Sequence, residues 1–183
     1  LCFNLQRGRR LFVKGAAPLP ETSLLGGRSC RGQRIVVVSN RLPFTVTEDH
    51  GKIAFQESAG GVATGLSAFL RSTENSSARK RETVWVGWPG GTVGPEFREQ
   101  VKSEVLSQFR CYPVFLSEDE VGDFYEGFCN KTLWPLFHYF PSYTAYEHAS
   151  WQTYQQVNEL FCEVVLQIVE PGDIVWIHDY HLM

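Results

Sequence analysis

No apolar run in this sequence approaches the roughly 20 residues that cross a bilayer as a helix, which argues against a membrane protein. Surplus positive charge is also missing. The net charge is −3, and seven of the 17 basic residues fall in residues 1 to 34 beside a single acid, Glu21, so the body that follows is acidic. That speaks against a nucleic-acid binder, which needs a basic face for the phosphates. Cysteine is sparse: Cys2, Cys30, Cys111, Cys129 and Cys162 are odd in number, widely spaced and form no CxxC pair. Structural zinc and a disulfide framework are disfavoured, and buried free thiols in a reducing cytoplasm are expected. GxSxG, the nucleotide P-loop, HExxH and GxGxxG are absent, which removes the commonest hydrolase, ATPase, zinc-protease and dinucleotide readings.

What is present is a globular composition, 43% hydrophobic and 20% charged, in 183 residues, enough for one domain and not two. The chain starts at Leu1, which reads as a partial frame. Residues 1–33, with Gly-Arg and Pro-rich pieces and little periodicity, are expected to form a disordered basic extension. From Arg34 the pattern sharpens. Ile35 to Val38 is a β-branched run that reads as a first buried strand, and the Thr/Val alternation around Asp49-His50-Gly51-Lys52 reads as a loop or small hairpin. Val62, Leu66, Phe69 and Leu70 predict a helix from about Gly61 to Arg71. Thr83 to Trp88 is a second strand, Pro95 to about Phe109 a helix, and Cys111 to Leu116 a third strand. Ser117 and Glu120 form a capping box that starts another helix near Glu118, with Pro135 breaking or starting a helix further on. The pattern from Trp151 to Ile168 marks a long amphipathic helix, which Pro171-Gly172 ends before a last strand, Ile174 to Ile177. Strands alternating with helices predict an α/β fold with a mostly parallel sheet and helices on both faces.

Polar groups gather where two of these strands end. His178, Asp179, Tyr180 and His181 follow the last strand, and Ser39, Asn40 and Arg41 follow the first. Open α/β sheets bind ligands at the carboxyl ends of their strands. Arg41 there suits a phosphate, or is simply solvent-facing or ion-paired. Asp179 can accept sugar hydroxyl hydrogens or act as a general base, or it caps the next segment. His178 and His181 have the spacing of metal ligands, but no third ligand accompanies them, and no metal is expected. Gly60-Gly61 before a helix lets a ligand approach bare amides, or is a plain tight turn. Among the aromatics, Trp88 beside Pro89-Gly90-Gly91 and Trp134 beside Pro135 are the stronger pocket-wall candidates because turns are exposed; Tyr125 can add a hydroxyl, and Trp85 is expected to be buried. His138 and His148 have no evident partners.

Together, VVVSNRLP, SAGGVATGL, WVGWPG, DFYEGFCNKTLWPLFHY and IVWIHDYHLM, in this order from about Arg34 to Met183, resemble the amino-terminal half of glycosyltransferase family 20, the UDP-forming trehalose-6-phosphate synthases, fungal and other eukaryotic members especially. The resemblance implies a Rossmann-like N-terminal domain of a GT-B glycosyltransferase over residues 34–183, with the nucleotide-sugar domain absent. It implies retaining transfer of glucose from UDP-glucose to glucose 6-phosphate, without cofactor or metal. Residue by residue, it assigns Arg41, Tyr125 and Asp179 to glucose 6-phosphate, with Asp179 catalytic. Trp88 and Trp134 become walls of the same pocket, and Gly60 and Gly61 approach UDP-glucose. Partners it implies are the two substrates and subunits of a synthase/phosphatase complex. One departure is the Pro43 to Glu57 stretch, longer than in the shortest members. Two other functions compete: a non-catalytic regulatory subunit of such a complex, and an unrelated nicotinamide-dependent Rossmann-like enzyme, which the lack of GxGxxG disfavours.

Overall fold

The computed structural model describes residues 2–4, 34–49, 52–57, 65, 68 and 82–183. Its centre is β2 (Ile35–Arg41), whose first six residues are buried. It pairs in parallel with β5 (Thr83–Trp88) on one side and with β7 (Ile174–Ile177) on the other, in registers Val36↔Val84 and Val36↔Val175. β6 (Cys111–Pro113) lies outside β5, also parallel, and β1 (Cys2–Asn4) runs antiparallel outside β7. The sheet order is therefore β1-β7-β2-β5-β6. A second, two-stranded sheet is the antiparallel hairpin β3 (Phe44–Asp49) and β4 (Lys52–Glu57), whose last pair is Asp49↔Lys52. Of the extension expected over residues 1–33, only Cys2–Asn4 is described, and it is strand.

Both faces of the β2 run are covered, which is why its apolar residues do not alternate with polar ones. Val36 and Val38 join Val84, Val86 and Val175 beneath Phe124, Cys129, Tyr154, Val157 and Phe161. Ile35, Val37 and Trp85 face the other way, onto Val101, Val105, Phe44 and Val46. A 3-10 turn, Pro95–Phe97, leads into α1 (Arg98–Phe109), which supplies Val101 and Val105 and ends at Arg110 in the left-handed conformation. β6 stops at Pro113, short of the expected Leu116. Proline has no N–H to continue the ladder, and the bond from Val114 N to Gly87 O, 2.9 Å, is the last to β5.

The capping box forms as expected: Ser117 Oγ accepts from Glu120 N at 3.2 Å while Glu120 Oε2 accepts from Ser117 N at 2.7 Å. It opens α2 (Glu118–Glu120), which runs on as a π-helix, Val121–Leu133, and then as α3 (Trp134–Phe137). Pro135 lies in the first turn of α3, so it starts a helix, one of the two outcomes expected of it. The i−4 carbonyl it cannot reach, Lys131 O, instead accepts from Ala145 N at 2.9 Å, so the missing donor is replaced from a loop. After a second 3-10 turn, Pro141–Tyr143, α4 (His148–Ile168) packs against the π-helix, approaching closely at Gly127, where an added Cβ would lie 2.9 Å from Ser150 Oγ. Of the helix expected from about Gly61 to Arg71, Gly65 and Ala68 are described, and both are helical.

Candidate active site

Chain order fixes where a ligand belongs. From β2 the chain moves outward through β5 to β6, then returns to the opposite side of β2 for β7. Connections therefore diverge between β2 and β7, a topological switch point, and the crevice outside the carboxyl ends of those two strands is the expected site. The bond from His178 N to Val38 O, 2.8 Å, locks the two exits side by side.

At the β2 exit the pairing with β5 becomes irregular between Val38 and Arg41, and Ser39 stabilises the bend. Buried Ser39 Oγ donates to Arg41 O at 2.8 Å and accepts from Trp85 Nε1 at 2.7 Å. Arg41, the last residue of β2 and paired with Trp88, is thereby exposed; its Nη2 donates to Thr45 Oγ1 at 3.1 Å and its guanidinium carbon lies 5.4 Å from the Trp88 ring centroid. Gly90, at φ +79°, passes so close that a Cβ there would lie 2.7 Å from Arg41 Nη2. The arginine's freedom is thus reduced before any phosphate arrives.

At the β7 exit Asp179 has φ +70°, a conformation that costs a non-glycine residue on the order of 1 kcal/mol. Its Oδ1 accepts from Tyr180 N at 2.8 Å, and its Oδ2 lies 3.5 Å from His181 Nδ1. Tyr125, on the π-helix, stacks on His181 at 5.6 Å between centroids, and Tyr180 stacks on the same imidazole at 4.3 Å. Burial, with the Asp179 charge adding to it, pushes the Tyr180 hydroxyl up to about 12, so it stays a neutral donor. Burial also lowers the pKa of both His178 and His181, against the opposing pull of Asp179.

Buried polar atoms without a hydrogen-bond partner concentrate here. Among the described residues they are Asn40 Oδ1, Trp88 Nε1, His178 Nε2, His181 Nδ1 and Thr144 Oγ1, and the first four follow or end β2, β5 and β7. Such atoms are uncommon, and their clustering at one edge marks a site rather than a packing fault.

The structure brings Arg41 and Trp88 together, and Asp179 and Tyr125 together through His181, at adjoining exits. Trp88 is a correction in one respect: it is 7% exposed, part of the core, so exposure at the turn is not what recommends it. Trp134 is half exposed and stacked on His138 at 4.2 Å; His138 does have a partner, since its Nδ1 lies 2.7 Å from Trp134 O. Phe137, one turn on, meets Tyr180 edge to face at 6.0 Å and links that helix end to the site. Trp85 is buried, as expected. Gly60 and Gly61 lie outside the described residues. Sequence reasoning placed Ser39, Asn40 and Tyr180 at the two exits but gave them no role; the Ser39 bridge from Trp85 to Arg41 and the Tyr180 stack on His181 come from the assembled structure. No group of three or more His, Cys, Asp or Glu side chains among the described residues is placed to hold a metal ion. A shallow depression of about 440 Å³ lined by Phe128, Tyr146, Glu147, His148 and Trp151 includes no strand-exit residue. Among the described residues no helix is long and apolar enough to cross a membrane.

The family model for Glycosyltransferase family 20 matches residues 33–183, the whole of the sheet from β2 to β7. The chain belongs to glycosyltransferase family 20. A bifunctional trehalose-6-phosphate synthase/phosphatase of Thermoproteus tenax is 47% identical to this family 20 chain over 151 residues, covering 82% of the chain and 20% of that protein. A UDP-forming α,α-trehalose-phosphate synthase of Yarrowia lipolytica is 41% identical over 150 residues, covering 81% and 30%. The crystal structure of a UDP-forming α,α-trehalose-phosphate synthase from Burkholderia xenovorans in complex with glucose-6-phosphate superposes with a TM-score of 0.56 at 25% identity, covering 81% of this chain and 28% of that one. The chain thus spans a third or less of these family members, and the α/β fold expected from its strand and helix rhythm is the fold it has.

Proposed function

We propose that the full-length protein is a UDP-forming α,α-trehalose-phosphate synthase, and that this chain is its Rossmann-like, acceptor-binding domain over residues 34–183. Glucose passes from UDP-glucose to glucose 6-phosphate. The acceptor's anomeric oxygen forms the new bond to the glucosyl carbon, its proton departs, and UDP leaves with the bonding electrons. The observation that carries this reading is the placement, at one switch point, of an arginine at the end of β2 and a carboxylate just past the end of β7. A guanidinium recognises a phosphate bidentately, and a carboxylate accepts from sugar hydroxyls, so the two exits match the two ends of a hexose phosphate.

In this reading Arg41 binds the phosphate over the Trp88 face, while Asp179 and Tyr125 contact the sugar and Asp179 orders the attacking hydroxyl. Trp134 closes the acceptor pocket when the substrates are bound. Gly60 and Gly61 offer amides to UDP-glucose. Residues 1–33 are an extension to this domain. The missing part of the protein supplies most of the nucleotide-sugar site, so the chain alone binds acceptor weakly and is inactive. The protein works in the cytoplasm, where free thiols such as buried Cys111 and Cys129 persist, and associates with phosphatase subunits acting on its product.

Arg41→Ala in the full-length protein tests the assignment. Loss of a charge-assisted bidentate contact costs about 3 kcal/mol, so the KM for glucose 6-phosphate rises roughly a hundredfold while use of unphosphorylated glucose is unchanged. An equal loss for both acceptors overturns the phosphate role.

A further inference from the structure

Asp179 does not hold its position alone. Its left-handed backbone turns the carboxylate back over the following two residues, and each of its oxygens meets one of them: Oδ1 meets the Tyr180 amide and Oδ2 the His181 ring. His181 is 9% exposed and cannot move freely. Its ring stacks on both Tyr125 and Tyr180, each at an interplanar angle of 22°. The backbone beneath is fixed to α4: Tyr180 O accepts from Tyr154 Oη at 3.1 Å, His181 O from Asn158 Nδ2 at 3.3 Å, and Asn158 Oδ1 accepts from Met183 N at 3.0 Å. A clamped ring beside a strained carboxylate is a costly arrangement to keep for packing alone.

The Nδ1 atom supplies the second strand of argument. It is buried and makes no hydrogen bond, so it needs a partner close by. Asp179 Oδ2, at 3.5 Å, is the carboxylate within reach. Because burial keeps the imidazole neutral, it carries one N–H, and placing that proton on Nδ1 satisfies both groups. Bonds of this kind are often long in unliganded enzymes and tighten when substrate is bound.

We infer that His181 is a positioning residue: its Nδ1–H bonds Asp179 Oδ2 and aims the other carboxylate oxygen, with the Tyr180 amide, at the reacting sugar hydroxyl. This deepens the synthase reading and rests on it for the identity of the hydroxyl, though not for the bond itself. An imidazole that fixes a carboxylate contributes through geometry. Misplacing a reacting group by about 1 Å costs on the order of a hundredfold in rate.

The test uses the full-length protein and two measurements. In the first, 15N-labelled histidine reports the tautomer: His181 is Nδ1–H at pH 7.5 and loses that preference in Asp179→Ala. In the second, His181→Phe keeps a ring in the clamp but removes the donor, and His181→Asn keeps a donor near the Nδ1 position. The Phe variant loses roughly 10- to 100-fold in kcat with little change in KM for UDP-glucose, and the Asn variant recovers most of the loss. An Nε2–H tautomer indifferent to Asp179, or equal losses in Phe and Asn variants, overturns the inference. If the wild-type protein releases no UDP with both sugars present, yet shows the Asp179-dependent Nδ1–H tautomer, the synthase reading fails and the bond stands.

Discussion

The two edges of the central sheet are built to opposite standards. At the amino edge, where β2 and β7 begin, Arg34 and Asp173 close on each other. Arg34 Nη2 donates to Asp173 Oδ2 at 2.6 Å and to Ile168 O at 2.6 Å, and Nε donates to Asp173 Oδ1 at 3.1 Å. The same carboxylate accepts from Glu170 N at 2.8 Å, shaping the Pro171-Gly172 turn. At the carboxyl edge of the same two strands, Asn40, His178 and His181 carry buried atoms without hydrogen-bond partners, and Asp179 holds a left-handed backbone. One edge has spent its polar groups on the fold; the other keeps several of them uncommitted. A fold that is satisfied everywhere has nothing left to offer a ligand, and the contrast locates function without reference to any relative.

Opposite substitutions at the two edges sharpen this contrast. Asp173→Ala should have the largest effect on stability. It strands a guanidinium that is 16% exposed, and removing one partner of a largely buried pair costs about 3 kcal/mol. Urea melts of the full-length protein should show that loss, with kcat per folded molecule unchanged. A fall in kcat to match would mean the amino edge also serves the site. Asp179→Gly should act in the reverse sense. Glycine relieves the φ +70° strain, at the expense of the Oδ1 bond and a freer unfolded chain, so stability rises by a few tenths to about 1 kcal/mol. Turnover falls roughly 10²- to 10⁴-fold. If Asp179→Gly is instead destabilised by more than about 1 kcal/mol, the carboxylate is a structural cap, which was the plainer reading of that residue from sequence.

Much of the fold was legible because each signal was local. The strands Thr83–Trp88 and Ile174–Ile177 fall where their apolar runs predict, and the Ser117 capping box announces its own geometry. Pro135 starts α3, one of the two outcomes expected of it, but nothing in the flanking sequence says that Ala145 N will fill Lys131 O. The π-helix from Val121 to Leu133 was invisible for a related reason, since periodicity does not distinguish a locally widened helix from an α-helix. For the site, the strand-exit rule found Arg41 and Asp179 but not how they are held. Ser39 bridges Trp85 to Arg41 across 46 residues of sequence, and His181 depends on a Tyr125 stack from another element. Such contacts are properties of the assembled sheet.

The smallest expected difference between the edges is in their response to acid. At the amino edge the Asp173 hydrogen bond, opposed by burial, raises the pKa of Arg34, so its contribution is fully present throughout the neutral range. At the carboxyl edge burial lowers the pKa of His178 and of His181, and Asp179 opposes this only in part. The sign follows from proton counting. Below about 6.5 the unfolded chain protonates these rings while the folded one resists, so the unfolded state binds more protons. The histidines' contribution is therefore complete above about pH 6.5 and is lost as the pH falls toward their folded values. Between pH 7 and pH 5.5 the full-length protein should lose Tm, by less than about 2 °C for each kcal/mol so released because the chain is long. His178→Phe combined with His181→Asn should flatten that part of the profile, because neither replacement titrates there. Should the double variant keep the wild-type slope, the acid sensitivity belongs to groups elsewhere, and the unsatisfied edge owes its character to its ligands alone.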